Sequence, residues 1–242
     1  MKVITQKVLI YALVILLFPC ALFSQNTDES NPRVVEPVRR NNSPSDAIIL
    51  FNSSSLDKFL SVKDSSQAPW KVNGRHFTVI PGTGNVQTKQ HFGDMQLHIE
   101  FKIPRDAKNK EGQKSGNSGI YIMGKYEIQV LNSYDNETYT DGQAGAVYKQ
   151  YPPMVNASLK PGVWQEYDIV FEAPEYDEDG NLVKPPFITV FHNGVLIQNH
   201  VEVKGPTTAY NKELPEFAEK GPLLLQDHNN KVSFRNIWIR EL

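Results

Sequence analysis

The stretch that decides the fold is Gly116-Asn117-Ser118-Gly119-Ile120-Tyr121-Ile122-Met123-Gly124-Lys125-Tyr126-Glu127-Ile128-Gln129-Val130-Leu131. Apolar and polar side chains alternate on both sides of its central glycine, which is typical of two β-strands that each bury one face. In the second half, Tyr126, Ile128 and Val130 share the apolar face, whereas Glu127 and Gln129 share the opposite face. The pattern therefore predicts a strand pair with one core face and one polar face.

The first half of the stretch follows the same parity. Ile120 and Ile122 are expected to face the core, and the residues expected to face away from it are Asn117, Gly119, Tyr121 and Met123. Directly opposed residues of a hairpin point to the same side, so the two faces align only if the loop has an odd number of residues. A loop of three residues around Gly124 would meet this condition, whereas a two-residue turn would not.

Outward from this stretch, short β-like runs alternate with glycine, proline and asparagine turns. The predicted strands are Ala47–Phe51, His76–Ile80, Met95–Ile103, Gly119–Met123, Tyr126–Leu131, Val163–Glu172, Pro186–His192, Leu223–Gln226 and Val232–Ile239. One weak helical turn is predicted around Leu56–Leu60, and the acidic segment Tyr176–Lys184 lacks calcium-loop spacing and predicts a hairpin loop. Many short strands predict an all-β protein, either a two-sheet sandwich or a jelly roll.

The chain has 242 residues and a formal net charge of −2. This length fits one β-domain, which we place at residues 46–242, after a polar, proline-punctuated flexible linker at residues 25–45. The balanced charge lacks the basic excess of nucleic-acid-binding proteins, so neutral partners are favoured and nucleic acid is not expected.

The amino-terminal residues 1–24 are typical of an export signal. Lys2 and Lys7 precede an apolar run that is too short for a permanent membrane span, and small residues follow it. The protein is therefore predicted to be periplasmic or secreted, with cleavage after Ser24. Lipid anchoring at Cys20 is disfavoured because its neighbours make a poor lipidation site.

The polar face around Glu127 is the first candidate site. This face resembles the floor of a groove more than an ordinary solvent-exposed sheet face, because it carries four neighbouring residues: Glu127, Gln129, Tyr121 and Asn117. Two simpler interpretations remain open from spacing alone: Glu127 is one exposed carboxylate among many, and Asn117 is only a turn former.

The second candidate site lies near the carboxyl terminus. If Leu223 and Leu225 enter the core, Gln226 and His228 emerge together on the opposite face. Such a histidine can act as acid, base or ligand near neutral pH, although a surface histidine bonded to a loop carbonyl is equally consistent. Phe234 and Ile237 cannot both face inward on a regular strand, so a bulge near Asn236 is expected, and it decides where Arg235 points.

Nine short motifs in order carry a family resemblance. They are Leu50-Phe51-Asn52, Trp70-Lys71-Val72, Phe92-Gly93-Asp94-Met95-Gln96-Leu97, Asn117-Ser118-Gly119-Ile120-Tyr121, Tyr126-Glu127-Ile128-Gln129-Val130-Leu131, Gly145-Ala146-Val147-Tyr148, Pro161-Gly162-Val163-Trp164, His192-Asn193-Gly194 and Leu225-Gln226-Asp227-His228 with Val232-Ser233-Phe234-Arg235-Asn236-Ile237. Residues 46–242 thereby resemble the 3-keto-disaccharide hydrolase domain family. The resemblance implies an exported bacterial protein with a two-sheet, concanavalin-like jelly-roll sandwich whose concave sheet holds a sugar.

The resemblance also implies cleavage of 3-keto-glycosides or 3-keto-disaccharides. A ketone at C3 acidifies the C2 proton, so a base can form an enolate that expels the C1 oxygen, and water then adds back. We expect Glu127 and His228 to be base and acid, in either order. The expected substrate-binding residues are Asn117, Tyr121, Gln129, Tyr148, Trp164, Gln226 and Arg235. A divalent metal bound by Glu127 and His228, which would polarise the ketone, is an alternative.

Two other functions remain open. The same fold serves non-catalytic, lectin-like sugar-binding modules, because a fold does not fix a function. A laminarinase-type retaining glycosidase is disfavoured, since retaining cleavage uses two neighbouring carboxylates. The residue two positions after Glu127 is the amide Gln129, so that strand lacks the second carboxylate.

Overall fold

The computed structural model describes residues 31–37, 43–52, 54–207 and 218–242. The chain divides into two units, Met1–Val34 and Val35–Leu242, and the strands given below all lie in the second. The predicted signal at residues 1–24 lies outside the described residues. Residues 31–37 and 43–45 of the predicted linker contain neither helix nor strand. Across the described ranges, no helix is long and apolar enough to cross a membrane.

The described part of the chain is built from short strands. They are β1 (Ile48–Phe51), β2 (Phe59–Ser61), β3 (Lys71–Asn73), β4 (His76–Thr78), β5 (Val86–Phe92), β6 (Met95–Lys102), β7 (Ser118–Ile122), β8 (Tyr126–Val130), β9 (Trp164–Glu172), β10 (Glu175–Tyr176), β11 (Leu182–Lys184), β12 (Phe187–His192), β13 (Val195–Glu202), β14 (Gly221–Leu225) and β15 (Ser233–Glu241). Three 3-10 turns accompany them, at Arg105–Asn109, Gly112–Lys114 and Thr140–Gly142.

Two antiparallel sheets form the body of the domain. The large sheet has the order β13-β12-β9-β6-β15-β4-β3, with β1 also paired to β15, and the small sheet has the order β2-β5-β14-β7-β8. The short β10–β11 hairpin stands apart from both. The predicted all-β, concanavalin-like jelly-roll sandwich is therefore confirmed.

The core lies between the two sheets because alternate residues of each strand are apolar. On β6 of the large sheet, Leu97, Ile99 and Phe101 are fully buried in the core cluster. The sheets meet where Tyr126 of β8 packs against Phe171 of β9, with ring centroids 5.8 Å apart. Burial of these large side chains is the main favourable term for the fold.

The β7–β8 hairpin has the predicted register. Ile122 pairs with Tyr126, which leaves the expected loop of three residues at positions 123–125. Two of them have positive φ, Met123 at 53° and Gly124 at 66°. Met123 is one correction: it was expected to face away from the core, but its turn conformation takes it out of the strand alternation and it joins the core cluster.

The other predicted strands coincide with strands of the structure to within a few residues, and the exceptions have physical reasons. The helical turn predicted around Leu56–Leu60 is wrong, because Phe59–Ser61 pairs with β5 as an edge strand. Six strands escaped prediction: β2, β3, β5, β13, and the short β10 and β11 in the segment that was predicted only as a hairpin loop. Three of these, β2, β3 and β13, end the order of their sheets, and β5 carries an exposed Lys-Gln-His run that hides its alternation.

Two irregular features were predicted and are found. Phe234 and Ile237 both face the core, because the β15 register shifts between Arg235 and Trp238 around Asn236, whose φ is 46°. The acidic segment forms the β10–β11 hairpin. In that hairpin the Asp177 carboxylate accepts hydrogen bonds from the main-chain N–H groups of residues 179 and 181.

Candidate active site

Glu127 and Gln129 lie on the face of the small sheet that points away from the core. Tyr121 pairs with Glu127 and Gly119 pairs with Gln129, so these residues of β7 and β8 form one floor. Glu127 is only 3% exposed and Gln129 only 1%. The simpler interpretation of Glu127 as an exposed carboxylate is therefore wrong, and the sheet places a carboxyl group where charge is costly.

Burial raises the pKa of Glu127 to about 7, although a hydrogen bond to Tyr121 acts in the opposite direction. The amide of Gln226 donates to the hydroxyl oxygen of Tyr121 at 3.0 Å, which leaves the phenolic hydrogen for the carboxylate. A carboxyl group with a pKa near neutrality exchanges protons readily at physiological pH. Glu127 is therefore suited to general acid–base chemistry.

Gly119 makes the space that this carboxyl group occupies. A Cβ at this position would collide with Oε1 of Glu127 and would lie 2.7 Å from Cε2 of Tyr121. Any larger residue would push the carboxylate and the phenol apart. Gly119 is therefore part of the site, because its lack of a side chain leaves room for the carboxyl group of Glu127.

An amide network continues the floor beyond Glu127. Gln129 donates to Oε1 of Gln113 at 3.0 Å, and the side-chain amide of Asn117 donates to the main-chain oxygen of Gln113 at 2.9 Å. Gln113 in turn donates to the main-chain oxygen of Gly142 at 2.9 Å. Asn117 is thereby part of the floor, and the network holds the Gln129 side chain in one orientation.

Two buried oxygens of the floor have no donor. Among the described residues, neither Oε1 of Gln129 nor Oε1 of Gln226 has a hydrogen-bond partner. Buried acceptors without a partner are rare, because each costs free energy comparable to a lost hydrogen bond. Gln129 lies two residues from Glu127 on β8, and Gln226 bonds to Tyr121, which pairs with Glu127. They suit a ligand that brings hydroxyl donors.

A rim of aromatic residues borders the floor. The main-chain N–H of Tyr148 donates to the carbonyl oxygen of Glu127 at 3.1 Å, and the hydroxyls of Tyr148 and Tyr139 are 2.6 Å apart. The ammonium of Lys149 lies 3.3 Å from the centroid of the Tyr139 ring. Burial raises the pKa of Tyr139, and its bond to Tyr148 and the charges of Tyr148, Asp141 and Glu127 raise it further. The phenol therefore stays a donor at neutral pH.

The structure adds four residues that the sequence did not single out: Gln113, Tyr139, Gly142 and Lys149. Gly142 underlies the Tyr139 ring, because a Cβ there would lie 2.6 Å from its Cδ2 and Cζ atoms. These residues come from loops outside the β7–β8 alternation. The one local signal is at Lys149, whose φ of 63° is unusual for a lysine, and it shows only in the backbone.

Trp164 and Arg235 are not on this floor. They lie on the outer face of the large sheet, where the Arg235 guanidinium is 4.2 Å from the Trp164 ring centroid. Arg235 also donates to Glu100 at 2.5 Å. The Asn236 bulge and the strand parity of β9 direct both side chains away from the core on that sheet. This placement corrects the expectation that they bind substrate beside Glu127.

His228, the other predicted catalytic residue, is placed differently from Gln226. Gln226 lies level with Gly119, to which its main-chain N–H donates at 3.0 Å, but His228 lies beyond the end of β14 and is exposed. Within the described ranges, no hydrogen bond joins its imidazole to a floor residue. Gln226 is therefore on the floor, whereas a shared site for His228 and Glu127 stays a prediction, because β14 ends at Leu225 and strand parity does not extend to His228.

The donors around Glu127 are amides and phenols. In the described part of the chain, no group of three or more histidine, cysteine, aspartate or glutamate side chains is arranged to hold a metal ion. A divalent metal held by Glu127 and His228 stays a prediction.

Comparisons with known proteins place the chain in a family. Residues 46–240 match the sequence pattern of the 3-keto-alpha-glucoside-1,2-lyase-like domain. A candidate glycosyl hydrolase from Parabacteroides distasonis superposes with a TM-score of 0.81 at 44% identity, covering 88% of this chain and 93% of that chain. A second candidate glycosyl hydrolase from the same organism shares the fold, with a TM-score of 0.59 at 19% identity over 81% of this chain and 94% of that chain.

The curated proteins contain no match to the chain. The family match nevertheless spans nearly all of the sandwich, from two residues before β1 to the penultimate residue of β15. The family match and the similar structure support a carbohydrate-active enzyme of the hydrolase or lyase type. The chain belongs to the 3-keto-alpha-glucoside-1,2-lyase-like domain family.

Proposed function

We propose that this protein cleaves the glycosidic bond of 3-keto-glycosides, with Glu127 as the base that removes the C2 proton. One observation carries the proposal: a buried carboxyl group with a pKa of about 7 shares the floor with two buried acceptors that have no partner among the described residues. The family match and the similarity to a candidate glycosyl hydrolase support a carbohydrate substrate. The 3-keto group of the substrate and the removal of its C2 proton are our proposal.

The chemistry needs a base of moderate strength. A ketone at C3 makes the C2 proton acidic, and a carboxylate with a pKa near the working pH both accepts this proton and releases it again. Glu127 takes the proton from C2, the electron pair forms the enolate, and the C1–O bond breaks as the enone forms. Water then adds at C1, and a proton returns to C2.

The substrate hydroxyls would complete the floor. Oε1 of Gln129 and Oε1 of Gln226 can each accept a hydrogen bond from a sugar hydroxyl. A site built to bond hydroxyls discriminates strongly against ligands that lack them, because its buried acceptors are then unpaired. The two glutamines therefore orient the sugar ring so that C2 faces the carboxylate.

The leaving oxygen needs a proton donor, and we assign this task to the rim. The Tyr139–Tyr148 pair carries two phenolic groups whose hydroxyls are 2.6 Å apart, so at least one phenolic hydrogen is free to donate. The sequence favours His228 for this role, but we prefer Tyr148, because its main-chain N–H bonds directly to the carbonyl oxygen of Glu127. A divalent metal at Glu127 and His228 is the remaining alternative.

A laminarinase-type glycosidase is a weaker candidate. Retaining cleavage requires two carboxyl groups about 5 to 5.5 Å apart. The floor residue beside Glu127 is the amide Gln129, and Asp141 at the rim faces Lys149, with 3.8 Å between its Oδ1 and Nζ. A lectin-like module fits the floor as well as an enzyme does, but it would not need a carboxyl group poised near neutrality.

The test compares a 3-keto-glucoside with its parent glucoside. We expect release of the aglycone from the 3-keto-glucoside only, and loss of that release in Glu127→Gln. Cleavage of the parent glucoside would instead favour the glycosidase. Binding of the folded protein to either sugar without product, with divalent metal supplied, would favour the lectin-like module.

Export is a further part of the proposal. Residues 1–24 would direct the chain to the periplasm or outside the cell, where a 3-keto sugar made by an oxidising enzyme could be met. Intact-mass measurement of the protein from its own host tests this, with Gln25 as the expected first residue. An acylated Cys20 at the amino terminus would replace this account with a lipid anchor.

A further inference from the structure

A cavity with a volume of about 480 Å³ is lined by residues that do not belong to the Glu127 floor. Its lining residues are Arg105, Lys108, Lys110, Asn132, Tyr134, Asp135, Lys160 and Pro161. They come from the 3-10 turn after β6, the loop after β8 and the segment before β9. Asn132 continues the core-facing parity of β8, so the cavity lies at the end of the sandwich, whereas Glu127 and Gln129 point outward from the small sheet.

The cavity is strongly basic. Four of its lining residues are cationic and one, Asp135, is acidic, in a chain whose net charge is −2. Among the described residues, none of the four cations forms an ion pair, and the Lys110 ammonium donates only to the neutral Asn230 amide, at 3.3 Å. Four cations against one carboxylate leave an excess of positive charge around the concavity, and this excess attracts an anion.

The walls of the cavity are held in place. Oδ1 of Asn136 accepts from the main-chain N–H of Gly112 at 2.8 Å, and the Asn136 amide donates to the carbonyl oxygen of Asn132 at 2.6 Å. These bonds tie the segment after the basic turn to the loop after β8. A ligand therefore does not have to order the two walls, which lowers the entropic cost of binding.

Arg105 is also positioned by its packing. Its side chain lies over Gly162, where a Cβ would be 2.6 Å from Cγ and 2.9 Å from Nε of the arginine. Gly162 has a φ of 92°, which a residue with a side chain rarely adopts. The guanidinium is thus held beside the cavity, and its planar pair of donors matches a carboxylate.

The remaining walls suit a sugar ring. Tyr134 is 45% exposed, and with Pro161 it offers an apolar surface beside the cations. Aromatic rings pack against apolar C–H faces, and the cavity volume lies in the range of small-molecule sites. We propose that this cavity binds the carboxylate of a uronic acid residue in an acidic saccharide. The saccharide part rests on the proposed function, whereas the anion part rests on the cavity alone.

Binding is measured by calorimetry on the full-length Glu127→Gln protein, so that cleavage cannot interfere. The probes are methyl glucuronide, methyl glucoside and inorganic phosphate. We expect the glucuronide to bind at least about tenfold more tightly than the glucoside, because one charged hydrogen bond contributes that much. Added salt should weaken glucuronide binding, because it screens the cations. The test variant is Lys108→Gln with Lys160→Gln, and the matched control is Lys63→Gln with Lys89→Gln. All four lysines are exposed.

The test variant is expected to lose at least about tenfold in glucuronide affinity, and the control is expected to lose none. Three results would overturn the inference: equal binding of glucoside and glucuronide, equal losses in both variants, or no glucuronide binding. Phosphate that binds as tightly as glucuronide would also overturn it, because the cavity would then select charge without a sugar. Wild-type cleavage of a 3-keto-glucoside, assayed in parallel, separates failure here from failure of the proposed function.

Discussion

The Tyr167 hydroxyl, on the large sheet, donates a 2.9 Å hydrogen bond to the main-chain oxygen of Gln129 on the small sheet. Tyr167 is fully buried, so this bond crosses the core and reaches the strand that carries Glu127. The same oxygen also accepts from the main-chain N–H of Gly145 at 2.9 Å. This bond thus fixes the position of β8 relative to the large sheet, and with it the position of the floor.

Removing this bond should cost stability with only a small effect on activity. In Tyr167→Phe the Gln129 oxygen keeps the Gly145 donor, so we expect the free energy of unfolding to fall by about 1 kcal/mol. Chemical denaturation measures this change. A loss of turnover far larger than the loss of folded protein would show instead that the bond acts directly in catalysis.

Glu127→Gln should make the protein more stable above pH 7. The folded-state pKa of Glu127 is raised from 4.5 to about 7, so the native state holds a proton that the unfolded chain has lost, and stability falls as the pH rises between these values. The glutamine carries no charge to bury. We expect a gain of up to about 3 kcal/mol at pH 8 and little change at pH 4.5.

Thermal unfolding at the two pH values tests this expectation. Gln198→Glu is a useful counterpart, because it places a carboxyl group at another buried glutamine that is 1% exposed. We expect this counterpart to lose stability as the pH rises. If Glu127→Gln destabilised the protein equally at both pH values, the carboxylate would not be the strained group that the structure indicates.

The pH dependence of turnover should report the same group. A base must be ionised to accept a proton, so kcat/KM should rise with pH and level off above about 7, the pKa of Glu127. Initial rates on a 3-keto-glucoside between pH 5 and 9 give the profile. A rate that fell through pH 7 would indicate that Glu127 acts in its protonated form, as the acid.

His98, on the outer face of the large sheet, should make the stability of the protein depend on pH in a second range. Burial acts to lower the pKa of His98, but its hydrogen bonds to Asp168 and Glu100 and the nearby carboxylate charges outweigh burial and raise the pKa to about 9. Because the raised pKa belongs to the folded state, this stabilisation is complete below pH 6.5 and is lost as the pH rises through about 9.

His98→Gln should therefore cost stability at pH 6 and much less at pH 10. Denaturant unfolding at both pH values measures the difference, with the exposed His91→Gln as the control for loss of a histidine. Turnover should be unchanged in His98→Gln when the protein is folded, since this residue lies on the sheet opposite Glu127. An equal cost at both pH values would mean that the imidazole acts by packing on Trp238 alone, at a centroid distance of 5.2 Å.

Strand parity was sufficient to predict the floor. Glu127 and Tyr121 share a face because side chains alternate, and the three-residue loop keeps the two strands in step. Parity does not extend past a strand end or a bulge, and it does not say which sheet a strand joins. That is why His228, Arg235 and Trp164 were placed beside Glu127 although two lie on the other sheet.

The rim could not be predicted for another reason. Tyr139 and Lys149 lie in loops that have no period, and their positions depend on close packing over Gly142 and on the bond of Tyr148 to the Glu127 carbonyl. Such contacts follow from the fold as a whole and leave no local pattern. The amide Gln113 reaches the floor from a 3-10 turn for the same reason.

The most direct test of the mechanism follows the C2 hydrogen. When the wild-type protein cleaves a 3-keto-glucoside in deuterium oxide, Glu127 should exchange the abstracted proton with solvent before C2 is protonated again. Mass spectrometry and proton NMR of the released 3-keto sugar should then show deuterium at C2. Cleavage that left the original C2 proton in every released molecule would contradict proton abstraction by Glu127.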